Sequence, residues 1–85
     1  MNKLLDTQHH RRMNTILIRL LERNGATYGV IADVMINELV HIHPIDVQLL
    51  LEWMVREAYL NADNGVYHLN HTEENDKLFK ECLDY

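Results

Sequence analysis

Six histidines and a single cysteine are the side chains here best suited to holding a metal or moving a proton. A zinc-type site needs three or four such ligands converging on one point. His9 and His10 are adjacent, His41 and His43 alternate, and His68 and His71 flank the end of a hairpin-like stretch. No HExxH, no CxxC and no histidine pair at i, i+4 is present, so no metal set is expected. His41 and His43 could act as pH-responsive contacts near a turn. Cys82 falls in an apolar helical stripe and reads as a small core residue. The chain has only three glycines, with no phosphate-cradling loop and no nucleophile elbow among them. Its carboxylates fall on helical surfaces, and 85 residues leave little room for a pocket of enzyme size. The expectation is therefore a protein without catalytic residues, cofactor, metal or small-molecule substrate.

Charge and composition narrow the partners. Formal net charge is -5, with 47% hydrophobic and 25% charged residues, the profile of an ordinary globular domain. Residues 1–23 carry five basic against two acidic side chains, and the remainder three against eleven, which implies two electrostatically different surfaces. The acidic total argues against nucleic acid, because neutralising phosphates takes lysine and arginine. No apolar run is long enough to span a bilayer, and MNKLLD at the start lacks a secretory apolar core. One cysteine forms no intrachain disulfide, and a cytoplasmic location is expected. A domain this small is marginal by itself, so a dimer is a natural remedy.

Chemistry this sparse must be positioned by elements that the hydrophobic periodicity marks clearly. A single domain over 1–85 is expected, with a core at about 9–70. A first helix is read over about Thr7 to Arg23, capped by Asp6 or Thr7, with Met13, Ile16, Leu17, Leu20 and Leu21 inward and Asn24-Gly25 as a left-handed stop. Ala26-Thr27-Tyr28 reads as a short strand. A second helix follows over about Gly29 to Leu39, with Val30, Ile31, Val34, Met35 and Leu39 buried. A third runs from Pro44, suited to a first turn, to Ala58, with Val47, Leu51, Met54 and Ala58 inward. Tyr59-Leu60-Asn61 and Val66-Tyr67-His68-Leu69 are strands joined at Asp63-Asn64-Gly65, where asparagine and glycine accept positive φ. A last helix over about 72–83 starts at Thr72, with Glu73 and Glu74 on the positive end of its dipole and Leu78, Phe79, Cys82 and Leu83 on one face.

Helix, short strand, helix, helix and hairpin is the order of a winged helix-turn-helix. The run VQLLLEWMVREAYLNADNGVYHL resembles the end of the reading helix plus the wing of ArsR/MarR-type regulators. It is most similar to the small ArsR-like proteins of Mu-like phages, whose leucine-tryptophan-leucine run is loosely matched by Leu51-Glu52-Trp53-Met54. The resemblance covers about Met13 to Asn70. It implies a mainly α (α+β) winged-helix fold with a small hairpin wing and a C-terminal helix. It also implies the function of a dimeric, DNA-binding transcriptional regulator of phage or prophage type. In that reading Asp46, Gln48 and Glu52 face the groove, Arg56 and the start of the second helix near Thr27 approach phosphates, and Asn64 is at the wing tip. Two departures stand out: such families carry glycine where this chain has Ala58 or Tyr59, and arginine, serine or threonine on the outward face of the third helix.

That outward face is the alternative pointer. Base reading uses arginine, lysine, asparagine or glutamine, and only Gln48 qualifies in the early turns. Ile45, Leu49 and Trp53 instead repeat at i, i+4, i+8, nearly opposite the inward line. Either the C-terminal helix covers them, or they form a dimer or partner surface with Trp53 at its centre. The second function is then a protein-interaction module that kept the scaffold and lost DNA binding. Arg12, Arg19 and Arg23, at i, i+7, i+11 on the first helix, form a separate basic stripe. It reads as a solvated edge, or as a surface for phosphate or an acidic partner.

Overall fold

The computed structural model describes residues 2–6 and 11–84. Five helices and three short strands follow in the order α1 (Lys3–Asp6), α2 (Arg11–Leu21), β1 (Ala26–Thr27), α3 (Tyr28–Glu38), α4 (Pro44–Arg56), β2 (Leu60–Asp63), β3 (Val66–Leu69) and α5 (Glu73–Asp84). The strands make an antiparallel sheet in the order β1-β3-β2. Ala26 pairs with Tyr67 and Thr27 with Val66, and β2 and β3 run in register from Leu60–Leu69 to Asp63–Val66. The architecture is thus α-rich α+β. Among the described residues, no helix is long and apolar enough to cross a membrane.

The core is one cluster to which every helix contributes. Leu17 and Ile18 of α2, Ile31 and Met35 of α3, Val47, Leu50, Leu51 and Met54 of α4, Leu60 and Leu69 of the sheet, and Phe79 and Cys82 of α5 are buried. Each large side chain taken from water contributes about 1.5–3 kcal/mol. The helix α3 packs against both α2 and α4, while α5 packs on α2 and α1.

Three junctions explain where the elements stop. The Thr72 hydroxyl accepts the Asn75 N–H at 3.0 Å and caps α5 as expected. Asn64 and Gly65 have φ of 51° and 78°, both positive as a two-residue type I′ hairpin loop requires. The end of α4 differs from expectation: Ala58 lies outside the helix, exposed, at φ 62°. The Tyr59 N–H donates to the Met54 carbonyl at 2.8 Å and the Ala58 N–H to that of Val55 at 3.0 Å. This is a Schellman motif, which normally favours glycine at the left-handed position. The Ala58 carbonyl is held in turn by Asn70 Nδ2 at 2.8 Å and Asn75 Nδ2 at 2.9 Å.

Other expectations need correction. Asn24 and Gly25 are not left-handed; α2 ends at Leu21 without them. Gly25 has a different need: a Cβ there would stand 2.3 Å from the His68 ring and 2.8 Å from Val66. Val30 is half exposed, not buried, because the core-facing side of α3 is Ile31, Ala32 and Met35. The proposed cap at Thr7 lies outside the described residues, and Asp6 ends α1, an element the periodicity does not announce. This short helix is seated firmly. Leu4 is fully buried, and Asn2 Nδ2 donates to the Leu78 carbonyl at 3.1 Å and Glu81 at 3.2 Å. Asn14 Nδ2 donates to the Leu4 carbonyl at 2.8 Å.

Candidate functional site

The backbone before α4 sets how that helix is presented. Leu39 ends α3 and Val40 stands 79% exposed. His41 then takes a left-handed φ of 64°, a conformation histidine tolerates better than most residues. His43 is extended, as the residue before proline must be, and Pro44 opens the helix. The Asp46 carboxylate accepts the His43 N–H at 2.9 Å. Asp46 therefore turns back to cap its own helix, half-buried, and its outward role is filled by its neighbours. The Tyr28 hydroxyl donates to the Pro44 carbonyl at 3.0 Å, tying the start of α3 to the start of α4.

The outer face of α4 is open. Ile45 is 55% and Leu49 56% exposed, with Val55 behind them at 37%. Gln48, Glu52 and Arg56 share the exposed side, and Gln48 Nε2 reaches Glu52 only at 3.5 Å. The C-terminal helix does not cover Ile45 and Leu49, since its apolar face is spent on α2 and α1. Trp53 is not the centre of this face. It is half-buried against the core, its ring 5.7 Å from that of Tyr59, which the Schellman turn folds back onto the helix. Exposed Val30, Ile36 and Val40 add apolar surface on α3 and its exit. The sequence pattern missed these three; an α3 apolar on most sides was the available signal.

The residues that a DNA-reading arrangement would use are scattered over caps and turns. Thr27 caps α3 by accepting the Val30 N–H at 3.4 Å. Asn64 lies at the hairpin tip, in a hairpin from Leu60 to Leu69 that contains no lysine or arginine. Gln48, Glu52 and Arg56 are exposed on α4, so one cation faces outward beside one acid.

The basic stripe is placed elsewhere. A shallow groove of about 360 Å³ between α2 and α3 is lined by Ile16, Leu20 and Val34, with Arg19, Arg23, Glu22 and Glu38 around it. It continues past Arg12 and Thr15 toward Arg11, sharing Ile16, Arg19 and Glu38. Among the described residues, Arg12, Arg19 and Arg23 make no ion pair; the pairs present are Lys3–Glu57 at 3.5 Å and His71–Asp76 at 2.7 Å.

The remaining chemistry-bearing groups are structural or solitary. Cys82 is buried beside Asn2, and burial pushes its thiol pKa up. Burial likewise raises the Tyr59 phenol. His71 pairs with Asp76 and sets its ring edge-on to Phe79, centroids 6.5 Å apart. Among the described residues, no three of histidine, cysteine, aspartate and glutamate converge as a metal set; His9 and His10 lie outside them.

Two surfaces therefore stand out, the apolar outer face of α4 and the arginine-rimmed groove of α2 and α3. The chain matches no protein-family model, no curated protein and no solved structure.

Proposed function

We propose that this chain is a winged-helix domain that works by protein association through the outer face of α4. The observation that carries this reading is the exposure of Ile45 and Leu49, each more than half open, on the helix that would otherwise enter a DNA groove. Burying these side chains against a partner is favourable at about 25 cal/mol per Å², whereas a groove edge offers them few apolar contacts. The winged-helix assignment is supported by the helix order and by the β1-β3-β2 sheet with its tight hairpin. The regulator-type role follows from the resemblance, in which such a domain acts as a small phage- or prophage-type component of transcriptional control.

The second reading is duplex DNA binding by a dimeric regulator, with Thr27, Gln48, Arg56 and Asn64 at the interface. The same element order favours it, and so do Arg12, Arg19 and Arg23, which make no ion pair among the described residues. Glu52, exposed on the outer face of α4, opposes it, as does a hairpin without lysine or arginine; Asp46, expected to face the groove, is turned back as a cap. The two readings separate in fluorescence anisotropy with a labelled random duplex at low ionic strength. No saturable binding at tens of micromolar protein is the outcome expected for an association module. Saturable binding that weakens steeply with salt would report phosphate contacts and overturn it in favour of the DNA reading.

A further inference from the structure

Asparagine followed by glycine is a backbone step open to self-modification, because glycine has no side chain to obstruct attack by its own amide nitrogen. Two such steps are present, Asn24-Gly25 and Asn64-Gly65. Both asparagines are exposed, and among the described residues the side-chain amide of neither makes a hydrogen bond. The dipeptides are the same; their backbones are not.

The reaction closes a five-membered ring. The glycine nitrogen loses its proton to hydroxide and bonds to the asparagine Cγ. The Cγ–Nδ2 bond then breaks, and ammonia leaves with a proton taken from water. A second water opens the resulting succinimide at one carbonyl or the other, giving aspartate or isoaspartate. Closure requires the glycine nitrogen to swing over Cβ about the Cα–C bond. At Asn64, φ is 51°, and in the left-handed conformation that nitrogen stands nearly opposite Cβ. The turn, closed by the Asp63–Val66 pair, must open before the ring can form. Asn24 has no positive φ. In the extended and helical regions left to it, the nitrogen stands much nearer to Cβ. Asn24 also lies in the link between α2 and β1, outside both elements. Packing retains Gly25 there, since a Cβ would stand 2.3 Å from the His68 ring.

We infer that Asn24 is a modification site of the folded chain, converting to aspartate and isoaspartate through Gly25, while its turn protects Asn64. Either product sets a new carboxylate beside Arg23, at the rim of the α2–α3 groove. Isoaspartate also lengthens the backbone by one carbon just before β1, which pairs only through Ala26–Tyr67 and Thr27–Val66. The chemistry is independent of what the α4 face binds.

Incubation of the native chain in mildly alkaline buffer tests this. Tandem mass spectrometry of its peptides reads the amide-to-acid mass gain at each site, and an isoaspartate-specific methyltransferase labels the isomerised share. Asn24 should convert faster than Asn64 by about tenfold or more, since Asn64 must first open its turn. The two rates should converge in urea. Asn24→Gln should keep the native circular dichroism and lose most of the methyltransferase labelling. Equal rates in the folded chain, a faster Asn64, or no conversion at Asn24 would each overturn the inference. So would labelling that survives in Asn24→Gln, and a gap between the sites that persists in urea would assign it to sequence alone and overturn the protection by the turn.

Discussion

The helices α4 and α5 are both amphipathic, yet they spend their apolar residues differently. The last helix places Phe79 and Cys82 in the core and leaves its acids to solvent, so its composition is accounted for by its own fold. The helix α4 buries Val47, Leu50, Leu51 and Met54 and still carries Ile45 and Leu49 in the open. A helix apolar on a second side needs a second neighbour. In α5 the hydrophobic pattern is accounted for by folding; in α4 folding leaves Ile45 and Leu49 over, and the association proposed above rests on that surplus.

Substitutions on the two helices should separate these roles. Phe79→Ala removes a buried ring and should lower unfolding stability by about 3–5 kcal/mol, read as a fall in urea midpoint. Leu49→Asp, at an exposed position, should change that midpoint by no more than about 0.5 kcal/mol. A large loss from Leu49→Asp would mean that α4's outer face belongs to the fold, and the contrast would vanish.

The junction where α4 gives way to the sheet sharpens the comparison further. Asn75, from the first turn of α5, donates to the carbonyls of Ala58 and Asn70, both at 2.9 Å. Asn75→Ala should cost about 1–3 kcal/mol, since the bonds from a buried amide are lost together. Ala58→Gly should stabilise by about 1 kcal/mol, because alanine at a left-handed φ bears a strain that glycine does not. Thermal unfolding of the two variants would show shifts of opposite sign.

A smaller effect is expected with pH. Burial raises the Cys82 thiol above its ordinary value of 9.0. The folded state therefore holds that proton more tightly than the unfolded chain. Its contribution to stability is complete below pH 9.0 and declines as pH rises through the folded value. Tyr59, raised from 10.0 by burial, acts in the same direction. Replacing Cys82 with alanine should flatten part of the alkaline decline in urea midpoint; an unchanged profile would show that the thiol does not contribute to it.

Much of the scaffold was legible because local chemistry dictates it. Asn64-Gly65 can take the two positive φ values of a tight hairpin, Pro44 suits a helix start, and Thr72 supplies a cap. The features that escaped depend on residues distant in the chain. The seat of Leu4 is built by Asn14, which bonds its carbonyl, and by Asn2, which bonds to Leu78 and Glu81 of α5, so a four-residue helix without periodicity gave no sign of it. Trp53 looked like the centre of an exposed stripe, but Tyr59 folds back onto it through a turn that alanine disguises. Asp46 looked like a groove-facing acid and serves as a cap. On the candidate site, Ile45 and Leu49 were visible as a second apolar face. The groove beside Arg12, Arg19 and Arg23 was not, because its floor exists only once α3 brings Val34 against Ile16 and Leu20.

The most direct test of the α4 face is the molar mass of the native chain and of Leu49→Asp, measured by light scattering at matched concentration and low salt. The native chain should run above monomer mass and Leu49→Asp at monomer mass, with both equally resistant to urea once diluted until neither is assembled. Identical masses for the two, whether both assembled or both monomeric, would contradict the claim that this face is where the protein associates.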